Sequence, residues 1–400
     1  MWAESGVSDF THEQSRNSLD SRTAHSLSKR YLQEPITTDL AEKMVFLSGP
    51  RQVGKTTLAL RVAGASGPRH PAYLSWDDVR TRPRIRNGEL PPGQPRIVLD
   101  EIHKYARWRN LVKGLYDTRE PGQSFLITGA ARLDIYRRGG DSLHGRYHSY
   151  RLHPVSLREA GGGRDGLDGL LRFGGFPEPF CRASERHWRR WQRERLDRIV
   201  RDDIRDLERV REISLVELLI DALPSRVGSP LSVKSLREDL EVAHDTVERW
   251  LTILENLYVC FRIAPFGPPC IRAVKKERKL YLWDWSMVHE PGPRFENLVA
   301  SHLLKLCHFL EDTEGYRMEL RFVRDTDGRE VDFVVIRDHK PLFAVEVKTG
   351  ERDVSRAVRY FKERAAVPKW YQVHLGTKDA VVDGVRLLPF TKLCDEIEMP

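Results

Sequence analysis

The stretch Gly49-Pro50-Arg51-Gln52-Val53-Gly54-Lys55-Thr56, continued by Thr57, decides the fold. It follows the apolar run Met44-Val45-Phe46-Leu47 and opens into Thr57-Leu58-Ala59-Leu60-Arg61-Val62, which reads as strand, glycine loop and helix. Such a loop lets backbone N–H groups converge on a phosphate chain at a helix N-terminus, where the macrodipole adds positive potential. Lys55 then reaches the β- and γ-phosphates, and the Thr56 hydroxyl ligates Mg2+. Residues 49–57 are therefore the expected nucleotide-binding loop, with ATP and Mg2+ as its ligands.

Outward from that loop, 400 residues exceed what one core usually holds, so two or three domains are expected. A chain 40% hydrophobic and 31% charged reads as globular. No stretch approaches the length of a membrane span and the N-terminus has no signal pattern, so the expected location is cytoplasmic, away from membranes. Cys181, Cys260, Cys270, Cys307 and Cys394 lie far apart without a CxxC pair, which argues against a zinc cluster or a disulfide framework. The formal charge of +8 suits a nucleic-acid partner without establishing one. The run 185–211 holds ten arginines and seven acids and reads as a salt-bridged, solvated helix face. Trp188 and Trp191 within it share one side of that helix and suit packing.

Residues 1–30 are polar and Ser-rich and read as a disordered tail. From 31 to 160, strand candidates Met44–Leu47, Ala72–Trp76, Ile97–Leu99, Phe125–Thr128 and Tyr147–Leu152 alternate with helical stretches, the signature of a parallel, helix-covered sheet. Residues 161–228 read as a helical lid or connector. Residues 229–289 read as helix, turn, helix and β-ribbon, the order of a winged helix. The loop between the ribbon strands carries Arg272, Lys275, Lys276, Arg278 and Lys279, a candidate phosphate-contacting patch. Residues 290–400 give helix, three strands, helix and strand, a third α/β unit.

Arg96-Ile97-Val98-Leu99-Asp100-Glu101 is an apolar strand ending in two carboxylates. Behind a P-loop, Asp100 is delivered towards the Mg2+ shell and Glu101 towards the attacking water. Phe125-Leu126-Ile127 ends in Thr128-Gly129, where a hydroxyl could hold that water or the γ-phosphate. Together GPRQVGKTTL, LDEIHK, TGAARLD, LHGRY and GGFPEP resemble a family of prokaryotic AAA+ ATPases whose C-terminal half is a winged helix plus a nuclease-like domain. The resemblance implies a sensor role for Thr128. It also implies an arginine finger at Arg146 acting on a neighbouring subunit, hence a homo-oligomer, with Arg132, Arg137 and Arg138 as competitors for that role.

In the last unit, Glu330-Val331-Asp332 and Val345-Glu346-Val347-Lys348 lie on consecutive strands. A turn centred on His339 sets Asp332 opposite Glu346, and like charges about 5 Å apart need a cation between them. Mg2+ or Mn2+ on Asp332 and Glu346 would supply it, with Lys348 steadying the attacking water or developing phosphate charge. The arrangement resembles the restriction-endonuclease-like superfamily, which implies Glu296 as the helical acid. The expected fold is thus α/β: an AAA+ P-loop parallel sheet, a helical and winged-helix middle, and a restriction-endonuclease-like C-terminal domain. The expected activity is ATP hydrolysis on DNA, branched or duplex, with DNA cleavage left open. The alternative is a nucleotide-dependent switch for a protein partner, with the nuclease fold as scaffold.

Overall fold

The structure, a computed structural model, describes residue 27 and residues 29–129, 143–204, 212–267 and 277–400. Most of the expected tail, Cys270, the arginines 132, 137 and 138, and Arg272, Lys275 and Lys276 lie outside the described residues. The first sheet comprises β1 (Met44–Ser48), β2 (Tyr73–Ser75), β3 (Arg96–Asp100), β4 (Ser124–Thr128) and β5 (Tyr147–Arg151). Its order is β2-β3-β4-β1-β5, and every pairing is parallel. Parallel strands require crossovers, and the crossover helices bury both faces of the sheet. Val45, Leu47, Val98 and Leu126 pack with Leu58 and Val62 of the helix Lys55–Ala63. The alternate residues Phe46, Ile97, Leu99 and Ile127 pack with Trp108 and Val112 of the helix Trp108–Asp117 on the opposite face. Consecutive parallel registers bring Leu47 of β1 and Asp100 of β3 beside Thr128 of β4, so the segments leaving those strands converge.

Helices Gly163–Phe173, Pro177–Arg182 and Glu185–Arg198 follow, the last running into a π turn over Ile199–Ile204. The arginine-rich run is only partly the solvated face expected of it. Arg186, Arg189, Arg190, Arg193 and Arg198 are exposed, whereas Trp191 and Arg195 are buried. Trp191 packs on Phe176 with ring centroids 5.1 Å apart, and Trp188 donates its indole N–H to Ser286 Oγ at 2.9 Å.

Helices Ile213–Ala222, Val233–Asp239 and His244–Asn256 lead into the antiparallel strands β6 (Cys260–Pro265) and β7 (Lys279–Leu282). β6 offers its other edge to β8 (Met318–Arg324), pairing in parallel through Ala264 with Arg321 and Pro265 with Phe322. With β9 (Glu330–Arg337), β10 (Lys340–Val347), β11 (Trp370–His374), β12 (Ala380–Val382) and β13 (Val385–Pro389), the ribbon joins an eight-stranded mixed sheet. The boundary expected at 289/290 therefore cuts through a sheet, and one apolar core runs from Val155 to Met399. A β-ribbon edge carries unpaired backbone donors and acceptors, and β8 satisfies them here. The 24-residue helix Pro291–Glu314 touches β5 of the first sheet and β7, β8 and β9 of the second. Among the described residues, no helix is long and apolar enough to cross a membrane.

Candidate active site

The loop after β1 has the backbone its glycines predict. Gly49 has φ +148°, and a Cβ there would stand 2.5 Å from the Leu152 carbonyl oxygen, so only glycine lets β1 and the segment after β5 lie this close. Gln52 also adopts positive φ, at 63°, and Gly54 forms the N-cap of the helix Lys55–Ala63. The Lys55 ammonium donates to the carbonyls of Gly49 at 3.0 Å and Pro50 at 2.7 Å, across the mouth of the loop.

Asp100, at the end of β3, gathers three hydroxyls. Thr56 Oγ1 donates to its Oδ2 at 3.1 Å, Tyr73 OH donates to the same oxygen, and Thr128 Oγ1 donates to Oδ1. The pairing of Thr56 and Asp100 sets two hard oxygen ligands side by side, as Mg2+ requires. Thr128 differs from its expected role. It is fully buried and its hydroxyl is committed to Asp100, because the parallel register sets the two residues directly alongside. In this structure its hydrogen bond goes to that carboxylate. Tyr73 was missed from the sequence; its one signal is a tyrosine at the start of the strand next to β3.

Glu101 adopts φ 56° and stands 3.5 Å from Lys104 and 3.8 Å from His103. Burial pulls the His103 pKa below its ordinary value, against the attraction of Glu101. A cleft of about 580 Å³ adjoins these groups. Lys55, Thr56, Thr57 and Glu101 line one wall, and Glu178, Arg182, Arg195 and Arg198 line the other. Arg195 is 2% exposed, its Nε and Nη2 have no hydrogen-bond partner among the described residues, and its guanidinium lies 4.2 Å from the Phe176 ring centroid. Burial pulls its pKa down to about 10 in spite of Asp284. Nothing in the local pattern singles out Arg195 among the ten arginines of its run. Arg146 lies outside this cleft and pairs with Asp117 at 2.9 Å on the surface.

Beneath the loop lies a buried ion network. Arg30, expected at the end of the tail, is 5% exposed and donates to Val53 O at 2.7 Å, His153 O at 2.5 Å and Glu159 Oε1 at 2.7 Å. Lys305 of the long helix donates to Glu159 Oε2 and to Pro154 O, the latter at 3.2 Å. Burial pushes the Glu159 carboxyl up, but the Arg30 and Lys305 cations outweigh it and hold it at about 2.

The C-terminal acids do come together. The turn residues Asp338 and His339 both have positive φ, and Arg337 faces Lys340. A bulge between Pro341 and Phe343 then shifts the register by one, so that Val345 faces Phe333 and Glu346 falls opposite Asp332. The protein cation beside Asp332 is Lys279, which is buried and so not the surface DNA contact expected of it. Lys279 is fully buried, and its Nζ lies 3.1 Å from Glu296 Oε1, 2.6 Å from Glu330 Oε1 and 3.2 Å from Asp332 Oδ1. It is the first residue of β7, a strand buried along its whole length, while Arg278, one residue earlier, is exposed. The other Asp332 oxygen accepts the Val347 N–H at 2.9 Å. Both oxygens of Asp332 are thus engaged, and the residues do not fit a metal pair as they stand. Lys348 pairs with Glu346 Oε1 at 2.7 Å, leaving the buried Oε2 without a partner among the described residues. Burial, reinforced by Asp332, raises Glu296 to about 7 and Glu346 to about 8.

Comparisons with known proteins match three family models along the chain. Residues 41–161 match the AAA domain family, residues 164–291 a domain of unknown function (DUF8612), and residues 291–393 another (DUF4143). The uncharacterized proteins Rv2008c of Mycobacterium tuberculosis and Mb2031c of Mycobacterium bovis are each 25% identical over 327 residues, covering 79% of this chain and 73% of theirs. MJ1544 of Methanocaldococcus jannaschii is 21% identical, with 88% of each chain covered. Among solved structures, the Holliday junction branch migration motor RuvB of Thermotoga maritima aligns with 64% of this chain and 89% of its own at 17% identity and a TM-score of 0.30, too distant to inform fold or function. The segment that carries the P-loop, Asp100 and Glu101 is an AAA ATPase-type domain.

Proposed function

We propose that the chain hydrolyses ATP in the cleft beside Lys55 and couples hydrolysis to work on DNA, branched or recombining DNA being the substrate class, as a homo-oligomer. The observation that carries the ATPase reading is the Asp100 carboxylate held by the hydroxyls of Thr56, Tyr73 and Thr128, with Glu101 at the adjoining cleft wall. Thr56 and Asp100 would hold Mg2+, which supplies charge neutralisation across the β- and γ-phosphates. Lys55 exchanges its loop carbonyls for phosphate oxygens. Glu101 accepts a hydrogen bond from the attacking water and orients it in line. Arg195, with donors unpartnered among the described residues, answers the charge that develops on the transferred group. Arg146 serves a neighbouring subunit's nucleotide, since it does not line the cleft of its own.

The surplus of eight positive charges and the exposed arginines of the helix Glu185–Arg198 support a nucleic-acid partner. One observation favours the second reading, a switch that senses a protein. The helix His244–Asn256, which a winged helix would lay in a DNA groove, carries Asp245 and Glu248 beside Arg249 on its outer side, and Glu248 is tied to Arg262 at 2.7 Å. Acidic side chains there oppose a phosphate backbone. The deciding measurement is the ATPase rate with single-stranded, duplex and four-way DNA across a salt series. Stimulation that fades steeply with salt is expected. Hydrolysis indifferent to every DNA would leave the protein switch, and no Mg2+-dependent hydrolysis at all would overturn the ATPase reading.

A further inference from the structure

We propose that the Lys279 ammonium is the resident cation of the C-terminal carboxylate cluster, standing where a divalent ion would otherwise be held, so that the native chain binds no metal there and cuts no phosphodiester bond through it. Removing that ammonium would turn the cluster into a hard-cation site of oxygen donors. The inference concerns the second sheet alone and stands whether or not the P-loop hydrolyses ATP.

The geometry is that of a ligand shell around one positive centre. Three carboxylates converge on a single nitrogen at 2.6 to 3.2 Å, contributed by the helix Pro291–Glu314 and by two positions of β9. The shell is closed on its far side, because a Cβ at Gly228 would stand 2.9 Å from Glu296 Oε2. Glu296 is further fixed by Tyr281 OH, which donates to Oε1 at 2.7 Å, and Asp332 by the Val347 N–H. Acids packed this tightly repel one another unless a cation lies among them, and burial sharpens that requirement.

Lys279 meets the requirement and is not positioned to leave. Its side chain is 0% exposed, and its ammonium lies 5.7 Å from the Phe322 ring centroid. Its backbone is committed on both sides, to Ile263 in the β6–β7 ladder and to an isolated bridge with Pro230. Withdrawal of the ammonium would require β7 to peel from β6. A divalent ion arriving from solvent competes with a cation built into a sheet. The cluster nevertheless retains metal-binding chemistry: Glu346 is 4% exposed, with one carboxylate oxygen unpartnered among the described residues. Without the ammonium, Glu296, Glu330 and Asp332, with Glu346 on the neighbouring strand, would present the all-oxygen set that Mg2+ and Mn2+ favour.

The test is a calorimetric Mn2+ titration of the full chain without nucleotide, in wild type, Asp332→Asn, Lys279→Met and the double variant. Wild type and Asp332→Asn should be indistinguishable. Lys279→Met should bind Mn2+ at least about tenfold more tightly than wild type, and its lowered melting temperature should recover with Mn2+. The double variant should lose both effects. Lys279→Gln, which keeps a donor for the carboxylates, takes the same test should Lys279→Met fail to fold even with Mn2+. Wild-type Mn2+ binding or DNA nicking that Asp332→Asn abolishes would overturn the proposal, as would a folded Lys279 variant with no more affinity for Mn2+ than wild type.

Discussion

Replacing Arg30 by Ala tests whether the phosphate-binding loop is held from beneath by the Glu159 network. The Glu159 carboxyl, 5% exposed, sits at about 2 against an ordinary 4.5, with Arg30 and Lys305 opposing the effect of burial. At about 1.36 kcal/mol for each pH unit of displacement, that difference is worth about 3 kcal/mol. Arg30 makes the larger of the two coulombic contributions, and its loss also strips donors from the Val53 and His153 carbonyls, at about 1 kcal/mol or more each. The sum, about 3 to 5 kcal/mol, agrees with the usual cost of breaking a buried ion pair by removing one partner. The folded value lies below the unfolded one, so this stabilisation is fully present above about pH 4.5 and is lost as the pH falls towards 2. Urea unfolding of the full chain by tryptophan fluorescence at pH 7 and at pH 3 reads both effects. Arg30→Ala should have a lower midpoint at pH 7 and lose less than wild type on acidification. Its nucleotide affinity should also fall, because Val53 is in the loop. A pH 7 midpoint within error of wild type, or an equal loss on acidification, would refute the reasoning.

Lys55→Ala should abolish nucleotide binding, whereas Glu101→Gln should keep ATP and block turnover; equilibrium binding beside steady-state hydrolysis separates the two roles. Tyr73→Phe removes one of the hydroxyls on Asp100 and should lower kcat about tenfold with nucleotide affinity retained, as expected for a hydrogen bond to a charged group. Arg146→Ala should lower turnover by about 10³-fold, and wild-type activity per subunit should rise with protein concentration; a fully active monomer by ultracentrifugation contradicts this. Replacing Arg272, Lys275 and Lys276 together by Ala, with Lys279 left in place, should weaken DNA binding and flatten its salt slope while basal ATPase is kept.

The first sheet was legible because β1, β3 and β4 are short, largely apolar runs with glycine or proline close by, and each of the five expected strands is found within two residues of its predicted ends. The P-loop was legible because its backbone demands glycine where glycine occurs, as Gly49 against Leu152 shows. Three features were not. The edge pairing of β6 with β8 joins residues some sixty positions apart and leaves no mark in local alternation. β12, β13 and the helix Phe390–Glu396 are short elements in a segment without a strong period. Burial of a charge is set by partners distant in sequence. Arg30, Arg195 and Lys279 each sit among other basic residues and look alike in sequence, yet all three are at most 5% exposed. Lys279, beside Asp332 at 3.2 Å, is a contact the local pattern of the hairpin does not carry. Cross-strand register is a short-range property of the hairpin, whereas the counter-ion comes from a strand fifty residues earlier.

The helix Pro291–Glu314 explains why both ion networks can be costly to bury and still belong to one stable fold. Its first turns hold β7: Glu296 accepts from Lys279, and Asn297, fully buried, pairs both side-chain groups with the Leu282 backbone at 2.8 Å. Midway, His302 accepts the Leu157 N–H at 3.0 Å, and Lys305 bonds Glu159 beneath the P-loop. Near its end, Glu311 and Asp312 clamp Arg151 of β5, the edge strand of the first sheet. At about 1.5 Å per residue, Glu296 and Asp312 are about 24 Å apart along one helix axis. Neither network stands as an isolated polar patch in an apolar core, since each fixes the same rod to a different sheet. Loss of either one leaves the helix held by fewer polar anchors, among them Asn297 on Leu282 and Asp312 on Arg151. An apolar replacement could fill the volume at Glu159 or at Lys279, but it would not specify where along the sheet edges the helix must stop. Buried ion pairs fix register in this way where packing alone leaves helices free to slide.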